Sequence, residues 1–375
     1  MQSAFAYEIA KQAQLEMLAA EFDQFFAPDL MSMEPQDKNL LASKSKKAKK
    51  LFFESVHKKS LLYSEGDEID GIVLQKIKNF HNKKQDLISS IKHNIVIDIA
   101  SLRKKFLFLL SIPSYISERI KYREDKERSM KVGTIGFLLS EYNIEKNPYF
   151  DAITKNEKLK SALENYKIEK PDSLLIRSIY EDLLKNEEYK SYLQKKDKDD
   201  ETELKSIKKL FKIVFKNEAF LELFEGNDLN WLENSEILKG LCLMMFKKEI
   251  SEISTDDFFT EIINSDDNDF WQKLFIETND DNKYVASIIT NKLKNWELER
   301  VSMTDRIILK MAIQEMLNHP SIPLKVTMNE YVELSKKFST PKSKQFVNGV
   351  LDNVSKELAE QGKIRKSGRG LIDNK

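Results

Sequence analysis

Three apolar stripes at helical spacing follow one another near the end of the chain. Ile307, Ile308, Met311, Ala312 and Met316 form the first, behind Ser302, a helix-capping residue with Asp305 three positions on as a weak capping box. Asn318-His319-Pro320 ends it and Ser321-Ile322-Pro323 restarts the chain. Leu324, Met328, Tyr331, Leu334 and Phe338 make the second stripe, and Ser339-Thr340-Pro341 the next break. Val347, Val350, Leu351, Val354 and Leu358 make the third. Three short amphipathic helices joined by tight breaks must pack together to bury such stripes.

The same period runs through the rest of the chain. In residues 1–26, Phe5, Ile9, Ala13, Met17 and Ala20 recur at helical spacing. Residues 28–37 carry two prolines and read as a linker. Helical patterns then cover 51–63, 69–91 and 95–110, with Ile112-Pro113 expected to break the chain before a further helix over 115–128. Asn147-Pro148 starts a helix expected to reach Tyr166, and Pro171-Asp172 starts the next. The charged stretch 195–201 reads as a solvated connection. Leu204 to Phe224 is expected to be one helix with Ile207, Leu210, Phe211, Val214 and Phe215 on a face, stopped by Gly226-Asn227. Trp231 to Phe246 follows, and 258–263, 270–275 and 284–298 lead into the three stripes. The expected fold class is all-α: a helical bundle with an extended helical middle region.

Composition supports that reading. The chain has 375 residues with only 10 Gly and 8 Pro, well below average usage. Lys+Arg and Asp+Glu are 61 each, so the net charge is zero. Bulk charge therefore gives no affinity for nucleic acid, which leaves only local basic patches. Lys44, Lys46, Lys47, Lys49 and Lys50 form one such run, either a solvated helix face or a phosphate-binding patch. Cys242, the one cysteine, lies in an apolar run and reads as a buried thiol in a reducing cytoplasm. No signal peptide or apolar span of membrane length is present, so no membrane association is expected. His57, His81, His93 and His319 are scattered, and no metal site is expected. The glycines at 133 and 136 precede no strand pattern and make no phosphate loop. No catalytic residues and no cofactor are expected.

The end of the chain resembles the NusB family of transcription antitermination proteins. The residues that carry the likeness are Asp305-Arg306 with Leu309 and Glu315, then Ile322-Pro323-Leu324-Lys325-Val326. Asn329-Glu330, Glu333-Leu334-Ser335-Lys336 and Phe346-Val347-Asn348-Gly349-Val350-Leu351-Asp352 continue the run in order. Ser335 stands where the family usually has Ala, and Met328 where it has Ile. Asn295-Trp296-Glu297-Leu298 matches just ahead of the three stripes. The opening run Gln2-Ser3-Ala4-Phe5-Ala6-Tyr7 resembles the family's first helix beyond its Arg-rich, RNA-contacting segment. Met1 is accordingly expected to be an internal methionine of a longer chain. On this likeness the chain divides into residues 1–250, a NusB-like RNA-binding part over 251–361, and a basic flexible tail over 362–375.

The resemblance implies a non-enzymatic antitermination factor in the cytoplasm. It would pair with the ribosomal protein also called NusE, bind single-stranded boxA-type RNA of ribosomal transcripts and act within an RNA polymerase antitermination complex. By position, Gln2, Phe5 and Phe346 are RNA-binding candidates. Phe346 lies about 100° from the centre of its stripe, where it can offer a face to a base or pack partly into the core. Lys342 and Lys344 are placed to reach phosphates, or are ordinary surface lysines. Asp305 and Arg306 are partner-binding candidates, and Asp305→Lys is expected to weaken the partner while sparing the fold. The alternative is a helical protein–protein adaptor that keeps the fold without strong RNA binding, as the zero net charge would suit.

Overall fold

The computed structural model describes residues 1–31, 33, 35–58, 60–129, 144–195, 197–247, 250–254, 268–280, 283–292 and 301–374. The fold is all-α, with no strand among the described residues. It falls into two compact units, one of residues 1–95 with 267–375 and one of residues 96–266. The sequence motifs over 295–298 and around the glycines 133 and 136, and the stripe over 258–263, lie outside the described residues.

The first unit opens with α1 (Gln2–Phe25), α2 (Lys38–Ser55) and the start of α3 (Asp67–Ser129). Asp37 caps α2, its carboxylate accepting from the Asn39 and Leu40 amides at 2.9 and 3.1 Å. Leu18 and Phe22 of α1, Leu51 and Phe52 of α2 and Val73, Ile77 and Phe80 of α3 close a small core of their own. The lysine run of α2 is largely paired there: Lys44 reaches Glu68, Lys47 reaches Glu65 and Lys49 reaches Asp23. That pairing favours the solvated-face reading of the run over a phosphate patch.

Helix α3 passes straight through Pro113, where the sequence was expected to break. A mid-helix proline costs about 3 kcal/mol. Around it Leu109, Leu110, Ile112, Ile116 and Ile120 are fully buried, and each contributes about 1.5–3 kcal/mol. Packing outweighs the local penalty.

The second unit holds the last part of α3 and α4 (Pro148–Thr154), α5 (Glu157–Asn165), α6 (Ser173–Lys185) and α7 (Glu187–Gln194). After them come α8 (Asp200–Val214), α9 (Glu218–Glu225), α10 (Trp231–Met245) and the short α11 (Ile250–Ser254). Two of the expected helices are in fact split by asparagine caps. Asn156 accepts from the Leu159 amide at 2.8 Å, and Asn217 from the Phe220 amide at 3.1 Å while donating to Ser178 and Asp182. Asn186 caps α7 in the same way.

These caps mark an internal repeat. Lys155-Asn156, Lys185-Asn186 and Lys216-Asn217 recur roughly every thirty residues, each opening a short helix followed by a longer one. Leu159, Tyr189 and Phe220 are buried at the same place in the short helices. Ile176, Ile207 and Leu238, then Tyr180, Phe211 and Cys242, occupy equivalent buried places in the long ones. Helix α11 packs back on α4, and Asn156 donates to the Ile253 carbonyl at 3.1 Å. Cys242 lies in this core, where burial pushes its thiol up to about 12. It should resist thiol reagents in the native protein and react once the chain is unfolded; rapid native labelling would contradict its packing.

The first unit is completed by α12 (Asn268–Asn279), α13 (Lys283–Lys292), α14 (Met303–Asn318), α15 (Leu324–Phe338) and α16 (Ser343–Glu360). The three stripes of the sequence form α14, α15 and α16, and these helices pack on one another. Ile308, Leu309, Ala312 and Ile313 of α14 meet Val347, Leu351 and Val354 of α16, all at or near zero exposure. Helix α16 ends in a Schellman turn: Gly362 takes φ +66°, and the Lys363 amide reaches the Leu358 carbonyl.

The basic tail then runs back along the bundle. Lys366 donates to the His319 carbonyl at 3.1 Å and the Ser367 amide to that of Pro320 at 2.9 Å. Gly370 is buried against the same turn, where an added Cβ would stand 2.1 Å from the Pro320 oxygen. Lys363 donates to the Tyr284 hydroxyl and lies over its ring.

Candidate nucleic-acid interface

Helix α14 begins at Ser302, whose hydroxyl accepts from the Asp305 amide at 3.0 Å. The expected capping residue is therefore in place. Asp305 itself turns inward. It is 5% exposed, and its Oδ2 accepts from the Ser343 hydroxyl at 2.9 Å, joining the first turn of α14 to the first turn of α16. Ser339 and Thr340 of the intervening corner lie within 2.9 Å of the same Ser343 hydroxyl, and Ser302 within 3.3 Å of Ser339. The other Asp305 oxygen, Oδ1, is buried without a hydrogen-bond partner. This hydroxyl cluster fixes the corner from which Lys342, Lys344 and Phe346 emerge. The expectation that Asp305→Lys spares the fold is thus corrected, because the side chain lies inside the bundle. Arg306, its neighbour, is exposed.

The candidates from opposite ends of the chain come together on one core. Helix α1 packs on α12 and α14, with Ala4 buried in the core of the three-helix bundle. Phe5 of α1 and Phe346 of α16 are both half-buried and pack on the rim of that core. Gln2, Lys342 and Lys344 are exposed. Phe346 takes the flanking position that its place in the stripe requires.

The geometry adds Gly349, which the sequence reading noted only as part of a motif. It lies mid-helix and exposed, and a Cβ built there meets nothing within 4 Å. Packing does not ask for glycine here, and mid-helix glycine costs about 0.5–1 kcal/mol against alanine. Lys342, Phe346, Gly349 and Asn353 follow at alternate spacings of four and three, so they share one face of α16. The glycine leaves a shallow gap one turn beyond the aromatic. Its signal in the sequence was a lone glycine between Val347 and Val350, inside a strong helical stripe.

A buried polar pair secures α15 against α14. The Tyr331 hydroxyl donates to Glu315 Oε2 at 2.8 Å, and both residues are buried. Burial holds the Glu315 carboxyl above the ordinary glutamate range, partly offset by hydrogen bonds from Thr327 and Tyr331 and by the charge of Lys366. The folded chain thus binds this proton more readily than the unfolded one. The resulting stability is complete below about pH 4.3, the unfolded value, and is lost as pH rises through the raised folded value. Glu315→Gln should flatten that part of the stability–pH curve. Glu277, also raised by burial, should leave a residual slope of the same sign. Denaturant melts across this pH range check it; an unchanged curve would refute the assignment.

Fold and site together define an all-helical architecture in which a three-helix bundle carries two half-buried aromatics and exposed lysines; no described helix is long and apolar enough to cross a membrane. The NusB family model matches residues 233–356. The chain is 42% identical over 104 residues to transcription antitermination protein NusB of Salinibacter ruber, a match covering 28% of this chain and 65% of that protein. It is 38% identical over 124 residues to the NusB of Chloroherpeton thalassium, covering 33% and 53%. With the NusB of Bacillus pumilus it shares 33% identity over 118 residues, 31% of this chain and 90% of that protein. The chain belongs to the NusB family. It spans between about half and two thirds of the first two relatives' length. No solved structure matches it significantly.

Proposed function

We propose that the chain is a cytoplasmic, non-catalytic antitermination factor that binds single-stranded boxA-type RNA of ribosomal transcripts. It does so with the ribosomal protein NusE, within a complex that acts on RNA polymerase. The observation that carries this reading is that Phe5 and Phe346 are both half-buried against one core, with Gln2, Lys342 and Lys344 exposed beside them in sequence. Half-buried aromatics can stack on bases while lysines meet phosphates, the usual division of labour for single strands. Arg306 is the group of the Asp305-Arg306 pair that faces a partner protein, and Asp305 holds its helix in place. Titrating a boxA-type RNA and a scrambled RNA into the chain, with and without the ribosomal protein, tests the reading. Preference for the boxA-type strand that grows with the partner supports it; equal, weak binding of both would remove it.

The gap at Gly349 sharpens the test. Gly349→Ala should stabilise the fold by about 0.5–1 kcal/mol, because the added methyl has room. If a nucleotide approaches α16 there, the same change should weaken RNA binding. A gain in both properties would place the RNA elsewhere. The adaptor reading is favoured by the zero net charge and by a second unit with a core of its own. It expects partner binding with no RNA preference.

A further inference from the structure

Helix α10 buries one face and leaves an apolar one open. Trp231, Ser235, Leu238, Cys242 and Met245 are buried in the second unit. By helical geometry Gly240 stands opposite them. Leu232, Ile237, Leu243 and Met244 surround it and are exposed, Leu232 at 74% and Met244 at 55%. A Cβ built on Gly240 meets nothing within 4 Å. The glycine therefore makes a trough across α10, between Glu236-Ile237 on one turn and Leu243-Met244 on the next.

The internal repeat sets this face apart. At the spacing of the repeat, Leu243 stands where α6 and α8 carry Glu181 and Lys212, and Leu232 where α8 carries Glu201. Ile237 and Met244 stand where α8 has Ser206 and Ile213, and those two are buried. The last long helix thus shows to solvent two positions that the preceding one covers, and it is apolar where the earlier helices are charged. The outer face at the end of a repeat array is normally polar. A contiguous apolar one marks an interaction surface.

Charge identifies what covers it. The stretch 217–238 holds Glu218, Glu222, Glu225, Asp228, Glu233 and Glu236 and no basic residue. Asp228 is taken up by Lys105, but Glu233 and Glu236 lie on the open arc itself. Lys239, the lysine of α10, sits off that arc, paired with Glu236 and over the Phe215 ring. We propose that this face of α10 docks an amphipathic helix of a partner protein, its apolar stripe crossing the trough at Gly240 and its flanks basic. A helix laid into an apolar groove is a common mode of recognition, and opposite charge at the edges selects the partner. A second copy would set Glu233 and Glu236 against the same carboxylates, and nucleic acid or anionic lipid would meet like charge. The proposal does not rest on the RNA reading.

A synthetic leucine–lysine peptide with its leucines at helical spacing tests it, titrated into the full chain by fluorescence anisotropy. A scrambled peptide of the same composition and a version with glutamate for lysine are the controls. The ordered lysine peptide should bind, and both controls should bind at least about tenfold more weakly. Leu243→Ser removes apolar surface and Gly240→Leu fills the trough; each should weaken binding by about tenfold. Glu233→Lys with Glu236→Lys should invert the preference, so that the glutamate peptide binds better than the lysine one. These positions lie on the open face, so circular dichroism should show the helices unchanged. Ordered and scrambled peptides bound equally, or binding unmoved by Leu243→Ser and Gly240→Leu, overturns the proposal. So does sedimentation showing a dimer that Gly240→Leu abolishes, which would assign the face to a second copy. Flotation with phosphatidylglycerol vesicles that Leu243→Ser abolishes would overturn it as well, assigning the face to a lipid surface.

Discussion

Asp305→Lys should lower the stability of the first unit by about 3–5 kcal/mol, the usual cost of leaving a buried charge without its partner. The side chain is 5% exposed and is held by Ser343 at 2.9 Å. It sits in the first turn of α14, where the helix dipole favours an anion and opposes a cation. Lysine would reverse the charge, discard the acceptor and overfill the corner. Asp305→Asn keeps an acceptor for the Ser343 hydroxyl and should cost only about 0.5–1.5 kcal/mol. Ser343→Ala leaves the carboxylate with neither oxygen bonded and should cost about 1–3 kcal/mol. Combined, the asparagine and alanine changes should cost less than their sum, because they break one interaction. Urea melts of the full chain supply all four numbers. Strict additivity, or a lysine variant as stable as the parent, would show that the corner is not held in this way. Loss of partner binding in the lysine variant would then say nothing about a direct contact.

That result bears on how far the sequence alone could be read. The stripes of α14, α15 and α16 were legible because each helix buries one face and marks it with the helical period. The capping role of Ser302 was legible for the same local reason. Asp305 was not: a capping-box carboxylate and a buried inter-helix acceptor look alike until the corner containing Ser343 is folded over it. Helix α1 defeated the period differently. Its apolar residues fall on two faces, so Ile9, Ala13, Met17 and Ala20 stood out as a stripe while the core took Tyr7, Leu18 and Phe22. Pro113 misled through its intrinsic penalty, which the surrounding core exceeds. In the second unit the Lys-Asn pairs carried the true helix starts, but the apolar run through Phe215 and Phe220 bridged the Asn217 cap and masked it. The rim itself was only half visible. Phe346 announced itself by its flanking position, whereas the meeting of Phe5 with the same core depends on a contact between the two ends of the chain.

Phe346→Ala should weaken binding of a boxA-type RNA by about 1–3 kcal/mol through lost stacking, with the salt dependence unchanged. Lys342→Ala and Lys344→Ala should behave in the opposite way. Both side chains are exposed beside the start of α16, and each phosphate contact removed should lower the slope of log affinity against log salt by about 0.7. Stacking is insensitive to counterions, whereas a lysine on a phosphate acts through them, so the two contributions separate in one set of salt titrations. Phe346 also packs on the bundle core, so its variant should lose some stability, and the titrations belong well below its melting temperature. The pattern expected is a vertical displacement of the salt plot for the aromatic and a change of gradient for the lysines. A Phe346→Ala chain that binds as tightly as the parent would move the RNA off this rim. An aromatic variant that flattened the salt plot would mean that Phe346 positions the lysines and does not stack on a base.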